Sequence, residues 1–207
     1  MNLKTLSLLG VTAALCFAAK GVDLKPSLSS PGTVVFQDDF SSGSLSKSWS
    51  IAKGYWEVSG GMVVGKEKAE DHHNAVLSLN RPNRNSVIQV SFKLDGASFF
   101  HLSYNKEKAH LFRVMVLPTG ISIVKDPVLV EPKQPAVTLA KSDTKFETGK
   151  WYTMLVEVQG SNVMVQTDNG VKLSGSNPAL DTDKVNYRFV TKGASLDLGG
   201  VKIWQTP

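Results

Sequence analysis

The stretch FQDDFSSGSLSKSWSIAKGYWEVSGGMVVGKEKAEDHHNAVL, residues 36 to 77, decides how this chain folds. It opens with Phe36-Gln37, the end of a β-branched run from Thr33, then two acids and Phe40, passes through a serine-rich loop to Trp49, and continues into YWEVSGGMVVG. Short apolar-rich runs flank Ser59-Gly60-Gly61, and the glycine pair supplies the tight turn that a hairpin needs. The stretch closes on Asp71-His72-His73, three residues able to do chemistry, just before another apolar run.

Working outward, the same pattern repeats to the end of the chain. SVIQVSFKL places Ile88, Val90, Phe92 and Leu94 on one side and Gln89, Ser91 and Lys93 on the other. SFFHLSYN sets Phe100, Leu102 and Tyr104 against Phe99, His101, Ser103 and Asn105. WYTMLVEVQG sets Tyr152, Met154, Val156 and Val158 against Thr153 and Glu157. Period-two runs bounded by turn residues, with no helical period between them, predict an all-β sandwich of two antiparallel sheets with solvated faces. The exception is 127–150, which carries Pro127, Pro132 and Pro135 and reads as a proline-stiffened surface loop or a lid.

The chain has 207 residues, of which 42% are apolar and 20% charged, enough for a full core in one domain. Its net charge of +5 comes from scattered lysines rather than a basic stripe, which argues against nucleic-acid binding. Residues 1–19 have one cation, Lys4, then an apolar run too short to span a membrane, and read as a signal peptide. Its removal would take Cys16, the only cysteine, and leave a secreted or periplasmic monomer without thiols. Residues 20–33, rich in Pro, Ser and Gly, read as a flexible leader into a domain spanning 34–206.

The acid-acid-Phe strand end (Asp38, Asp39, Phe40), Trp49 and the run from Gly54 to Val63 resemble the opening of a concanavalin A-like jelly roll. SLDLGGVKIW resembles its closing strand, which would pair with the first. The acid-histidine element and the HLFRVMV strand, followed by Lys125-Asp126, are similar to secreted bacterial domains of the family-16-glycoside-hydrolase-like and 3-keto-disaccharide-hydrolase-like kind. The resemblance implies a carbohydrate or polysaccharide partner. Family-16 hydrolases carry acids at alternate positions of one strand, and here the comparable strand reads Gln89, Ser91, Lys93. The resemblance also implies calcium held by Asp38 and Asp39 with an acid of the last strand. Gly199-Gly200 stands where an Asp-Asn pair would be expected, with Asp197 two residues away.

The candidate ligand-binding residues are therefore Asp71, His73, His101, His110 and Arg113. Neutral imidazoles can act as bases or metal ligands, and a guanidinium fork can hold a carboxylate or hydroxyls. In regular strands His72 and His73 face opposite ways, as do His110 and Arg113, so at most one of each pair would serve a shared pocket. Strict alternation turns His72 to the polar side, whereas a bend at the strand start would free His73, and His73 is the expectation taken. Three functions stay open: a carbohydrate-binding domain, a hydrolase or lyase with a histidine base acting on an oxidised sugar such as a 3-keto glycoside, and an envelope interaction domain. Trp56 is expected in the core. Trp49 and Tyr55 border loops, where they would either cap the core or stack on a sugar.

Overall fold

Alternation of apolar and polar residues becomes two packed sheets in the computed structural model, which describes residues 22–206. The signal-peptide expectation, with Lys4 and Cys16, lies outside the described residues. In chain order the strands are β1 Val34–Asp38, β2 Trp49–Lys53, β3 Tyr55–Ser59, β4 Met62–Lys66, β5 Ala75–Leu79, β6 Ser86–Leu94, β7 Ala97–Lys106 and β8 Ala109–Leu117. There follow β9 Gly120–Lys125, β10 Val137–Ser142, β11 Trp151–Gln159, β12 Asn162–Thr167, β13 Lys172–Ser176, β14 Asn186–Gly193 and β15 Leu196–Gln205. The first sheet runs β13-β12-β11-β6-β15-β4-β3 with β1 also on β15, and the second runs β10-β9-β8-β7-β14-β5-β2. The paired strands are antiparallel throughout, as the jelly-roll reading requires.

The expected inward rows are the observed ones. Ile88, Val90, Phe92 and Leu94 of β6 are sealed from solvent, and so are Phe100, Leu102 and Tyr104 of β7. The two sheets meet where Phe92 packs on Phe100, ring centres 5.2 Å apart. Strand β1 pairs with β15 from Val34 opposite Trp204 to Asp38 opposite Val201. Strand β4 occupies the same edge of β15 further back, opposite Leu196 to Leu198. The ladder shifts register between Leu198 and Gly200, where β15 passes from one neighbour to the other. The glycine pair that departs from the family pattern is thus a bulge in a closing strand.

Trp49 caps the core rather than standing free. It is buried against Phe36, Phe40 and Phe189, and its Nε1 donates to Asp38 Oδ2 at 2.9 Å. Trp56 is buried as expected, its Nε1 donating to Lys53 O at 2.9 Å. Gly65 lies directly across the ladder from Trp56, and a Cβ there would stand 2.2 Å from the indole. Tyr55 stays half exposed under Lys66 and Lys68. The 127–150 segment holds the edge strand β10 on β9, which its weak alternation concealed.

Residues 22–32, read as a leader, lie along the outer face of the first sheet. The Leu24 N–H donates to Gln89 Oε1, and Gln166 Nε2 donates to Lys25 O, both at 3.0 Å. The N–H groups of Ser27, Leu28 and Ser29 converge on the buried Glu157 carboxylate at 2.8, 2.9 and 3.0 Å. A buried carboxylate needs such donors, and a segment without its own ladder needs acceptors, so each satisfies the other. Among the described residues no such segment lies along the polar face of the second sheet, where His101, Ser103 and Asn105 are buried by their own neighbours.

Two outcomes check this account. Replacing Trp56 by Ala should cost about 3–5 kcal/mol in denaturant unfolding, the range for truncating a buried aromatic. Glu157→Ala should release the leader, read as proteolytic cleavage within residues 22–32 under conditions that leave the parent chain intact.

Candidate functional site

On the outer face of the second sheet, outward-pointing residues line up across strands. Ser103 of β7 is flanked in register by Arg113 of β8 and Arg188 of β14. One step along, His101 stands beside Val190, which is itself opposite Val76 of β5. These residues, with His73, Asn74 and His110, surround a concavity of about 170 Å³. Two local irregularities make the histidines converge on it.

The first is a bulge between β7 and β8. Tyr104 is opposite Phe112 but Asn105 is opposite His110, so Leu111 is an extra residue on β8. An extra residue resets the period-two count, and His110 and Arg113, three apart in sequence, reach the same side. The alternation argument, which separated them, assumed an unbroken strand. The second irregularity precedes β5. A short 3-10 turn, Ala69–Asp71, ends on His72 in the left-handed region at φ 46°. That reversal is the bend that frees His73, which lines the concavity while His72 does not.

Of the candidates, His73, His101, His110 and Arg113 are therefore brought together, and Asp71 is not. Asp71 Oδ2 accepts the N–H of Gly54 at 2.6 Å, and Lys53 lies 3.9 Å from its other oxygen. The acid ties the turn before β5 to the β2–β3 corner. Asp38 and Asp39 are remote from this face and do not converge with each other. Asp38 accepts from the Phe40 N–H and from Trp49, while Asp39 accepts from the Ser41 N–H and hydroxyl, which hold its carboxyl below the usual range. Asp197 is paired with Lys93 at 2.8 Å. Calcium takes six to eight oxygens around one point, and these carboxylates do not offer that. Among the described residues no three of His, Cys, Asp and Glu gather into a metal-holding group.

Three residues that border these candidates were not among the ligand-binding residues expected from the sequence. Arg188 is the clearest, since alternation with Tyr187 and Phe189 would have turned it to the polar side. Asp126 is almost fully buried, and its Oδ1 accepts from Arg113 Nε at 2.8 Å and from Nη2 as well. It holds the guanidinium from one side. Asn105 Oδ1 accepts from His110 Nδ1 at 2.6 Å, and its Nδ2 donates to Asn186 Oδ1 at 2.9 Å. An amide oxygen has no proton to give, so neutral His110 carries its proton on Nδ1 and its lone pair on Nε2.

Burial governs the imidazoles. It pushes His101 down to about 3, with the charges of Arg113 and His110 adding to the effect. Burial also lowers His110, and Arg188, Arg113 and His73 add to that while Asp126 opposes it. Both rings are neutral at physiological pH, so they serve as hydrogen-bonding groups and lone-pair donors beside two permanent cations. His101 Nδ1, Arg188 Nε and Asp126 Oδ2 are buried without a hydrogen-bond partner among the described residues. Buried polar groups are normally satisfied, so water or a ligand is expected beside them. No carboxylate lines the concavity.

The depressed His101 has a measurable consequence. In the unfolded chain its imidazole takes a proton below its ordinary 6.5, whereas in the fold it resists until about 3. The unfolded state therefore binds more protons in that window, and stability falls as pH drops from 6.5 toward 3. The slope is at most about 1.4 kcal/mol per pH unit. His101→Gln, which cannot titrate, should lose less stability than the parent between about pH 7 and about pH 5, where urea unfolding can be compared. Equal losses would mean that the ring protonates freely in the fold.

No family model matches this sequence, and no curated protein matches it either. Solved structures do. The laminarinase from Rhodothermus marinus superposes with a TM-score of 0.65 at 9% identity, covering 87% of this chain and 100% of that one. The Bacillus licheniformis beta-glucanase gives 0.63 at 10% identity, covering 85% and 99%. The carbohydrate binding module CBM66 from Bacillus subtilis gives 0.52 at 13% identity, covering 77% and 92%. Identities this low speak to the fold alone. The chain has the concanavalin A-like jelly-roll fold that its sequence resembles, shared with a laminarinase, a beta-glucanase and a carbohydrate binding module.

Proposed function

We propose that this chain is an exported carbohydrate-binding domain whose ligand seats on the outer face of the second sheet. The observation that carries the reading is the convergence of His73, His101, His110 and Arg113, from three different elements, around one concavity. Neutral imidazoles, Ser103 and a fixed guanidinium form the mixed donor and acceptor set that sugar hydroxyls need. The absence of a carboxylate from the lining favours binding over paired-acid glycoside hydrolysis, which places two carboxyl groups across the scissile bond. Export rests on the apolar N-terminal stretch, and the mature N-terminus found by mass spectrometry tests it. Among the described residues no helix is long and apolar enough to cross a membrane.

A second reading is favoured by one specific feature. The Asn105 contact leaves the lone pair of His110 on Nε2, as a general base requires. A lyase or hydrolase acting on an oxidised sugar would use that nitrogen to take a proton from the sugar. Glycan profiling followed by calorimetry separates the readings. Binding should weaken roughly 10- to 100-fold in His73→Ala and Arg113→Ala, the scale of a lost charge-assisted hydrogen bond, and less than about twofold in His72→Ala. Product formation that disappears in His110→Ala while binding persists would establish the enzyme. Equal, small effects in all the variants would remove this face from the function.

A further inference from the structure

We infer that the ligand of this face is an anionic carbohydrate, with its acid group seated between Arg113 and Arg188 above Ser103. The inference rests on the carbohydrate reading of the site and adds the charge of the sugar. Both arginines occupy the same row of the sheet, with the small Ser103 between them in register. Their Cα atoms are two strand spacings apart, about 10 Å. Long side chains from those positions lean over a serine that fills little of the gap.

The charges are unbalanced. Asp126 pairs with Arg113 and is buried behind it. Among the described residues no acidic side chain pairs with Arg188, and its buried Nε has no partner at all. An adjoining hollow of about 300 Å³ shares Arg188 and His110 with the first and adds Lys106 and Lys108, again without a carboxylate in its lining. Glu107, between these lysines in the β7–β8 turn, is the nearest acid along the chain and is exposed. Four cations thus border two adjoining hollows that share Arg188 and His110.

A neutral sugar would add hydrogen bonds yet leave Arg188 partly desolvated and unpaired, which is costly. A carboxylate or sulfate oxygen between two guanidiniums forms charge-assisted, potentially bidentate contacts and removes that cost. The field of these hollows would also draw such a ligand in. The shared chemistry is an oxyanion on a sugar ring, from either a uronate or a sulfate ester.

The full chain should be titrated by calorimetry with a polyuronate, a sulfated galactan, a neutral β-glucan and inorganic sulfate alone. At least one anionic polymer is expected to bind tenfold or more tightly than the neutral glucan, and which one does so identifies the acid group. Arg188→Gln should abolish that preference, while Lys172→Gln, which removes one charge from the exposed edge strand β13 of the other sheet, should preserve it. Equal losses in these two variants would show a general attraction of a basic protein for polyanions and overturn the inference. Equal binding of neutral and anionic polymers, unaffected by Arg188→Gln, would overturn it while leaving the carbohydrate reading standing. Silence toward every polysaccharide would remove the carbohydrate reading itself. Inorganic sulfate binding as tightly as the best polymer would leave an anion site with no role for the sugar. Thermal unfolding of each variant confirms that a lost preference is not lost structure.

Discussion

The hydrogen bond from Trp49 Nε1 to Asp38 Oδ2 joins the two sheets at their opening edge. Asp38 ends β1 in the first sheet, and Trp49 begins β2 in the second. The indole lies against Phe36 and Phe40 from one side of the sandwich and Phe189 from the other. A buried indole N–H without an acceptor would be costly, and so would a carboxylate without donors, so the pair fixes how β1 and β2 diverge from the serine-rich loop. β1 itself lies on β15, so the first and last strands of the described residues pair within the first sheet.

A sandwich of this kind has two outer faces, and here they have opposite fates. The first is covered by residues 22–32, whose amide groups are spent on Glu157 and Gln89. The second, among the described residues, has no such segment across it and carries the polar row of β7, β8 and β14. Residues on strands are held by ladders on both sides, so the side chains of this site stand on a rigid floor. The convergence itself comes from two departures from regularity, the bulge opposite Asn105 and the left-handed His72. Both sit at strand ends, where a change of direction breaks few ladder bonds.

The electrostatics of the face follow from the same arrangement. Burial keeps His101 and His110 neutral, and Asn105 and Asp126 orient His110 and Arg113 from behind. Among the described residues only Asp126 pairs with an arginine of this row, and it is withdrawn from the surface. The acids prominent in the opening stretch, Asp38, Asp39 and Asp71, act on backbone and indole groups and shape the frame around the site rather than its lining.

The outcome separates what local pattern can encode from what it cannot. Alternation in SVIQVSFKL, SFFHLSYN and WYTMLVEVQG determined which side chains enter the core, because a strand offers only two sides and an apolar row must be buried. The glycine hairpin at Gly60-Gly61, with both residues at positive φ, was legible for the same local reason. The candidate histidines and Arg113 were legible as residue types, but their convergence was not, because period-two counting fails wherever a bulge or a left-handed residue intervenes. Asp126 reaches Arg113 from just past the neighbouring strand β9, but Arg188 joins its row only through β7, from a strand distant in sequence, and the Glu157 carboxylate finds its donors about 130 residues away in the leader. Sequence by itself determined the strongly alternating strands, their core-facing rows and the chemistry available, but not the weakly patterned β10. Tertiary structure alone decided which outer face residues 22–32 cover and which charges meet on the other, since both depend on pairings between segments that share no local signal.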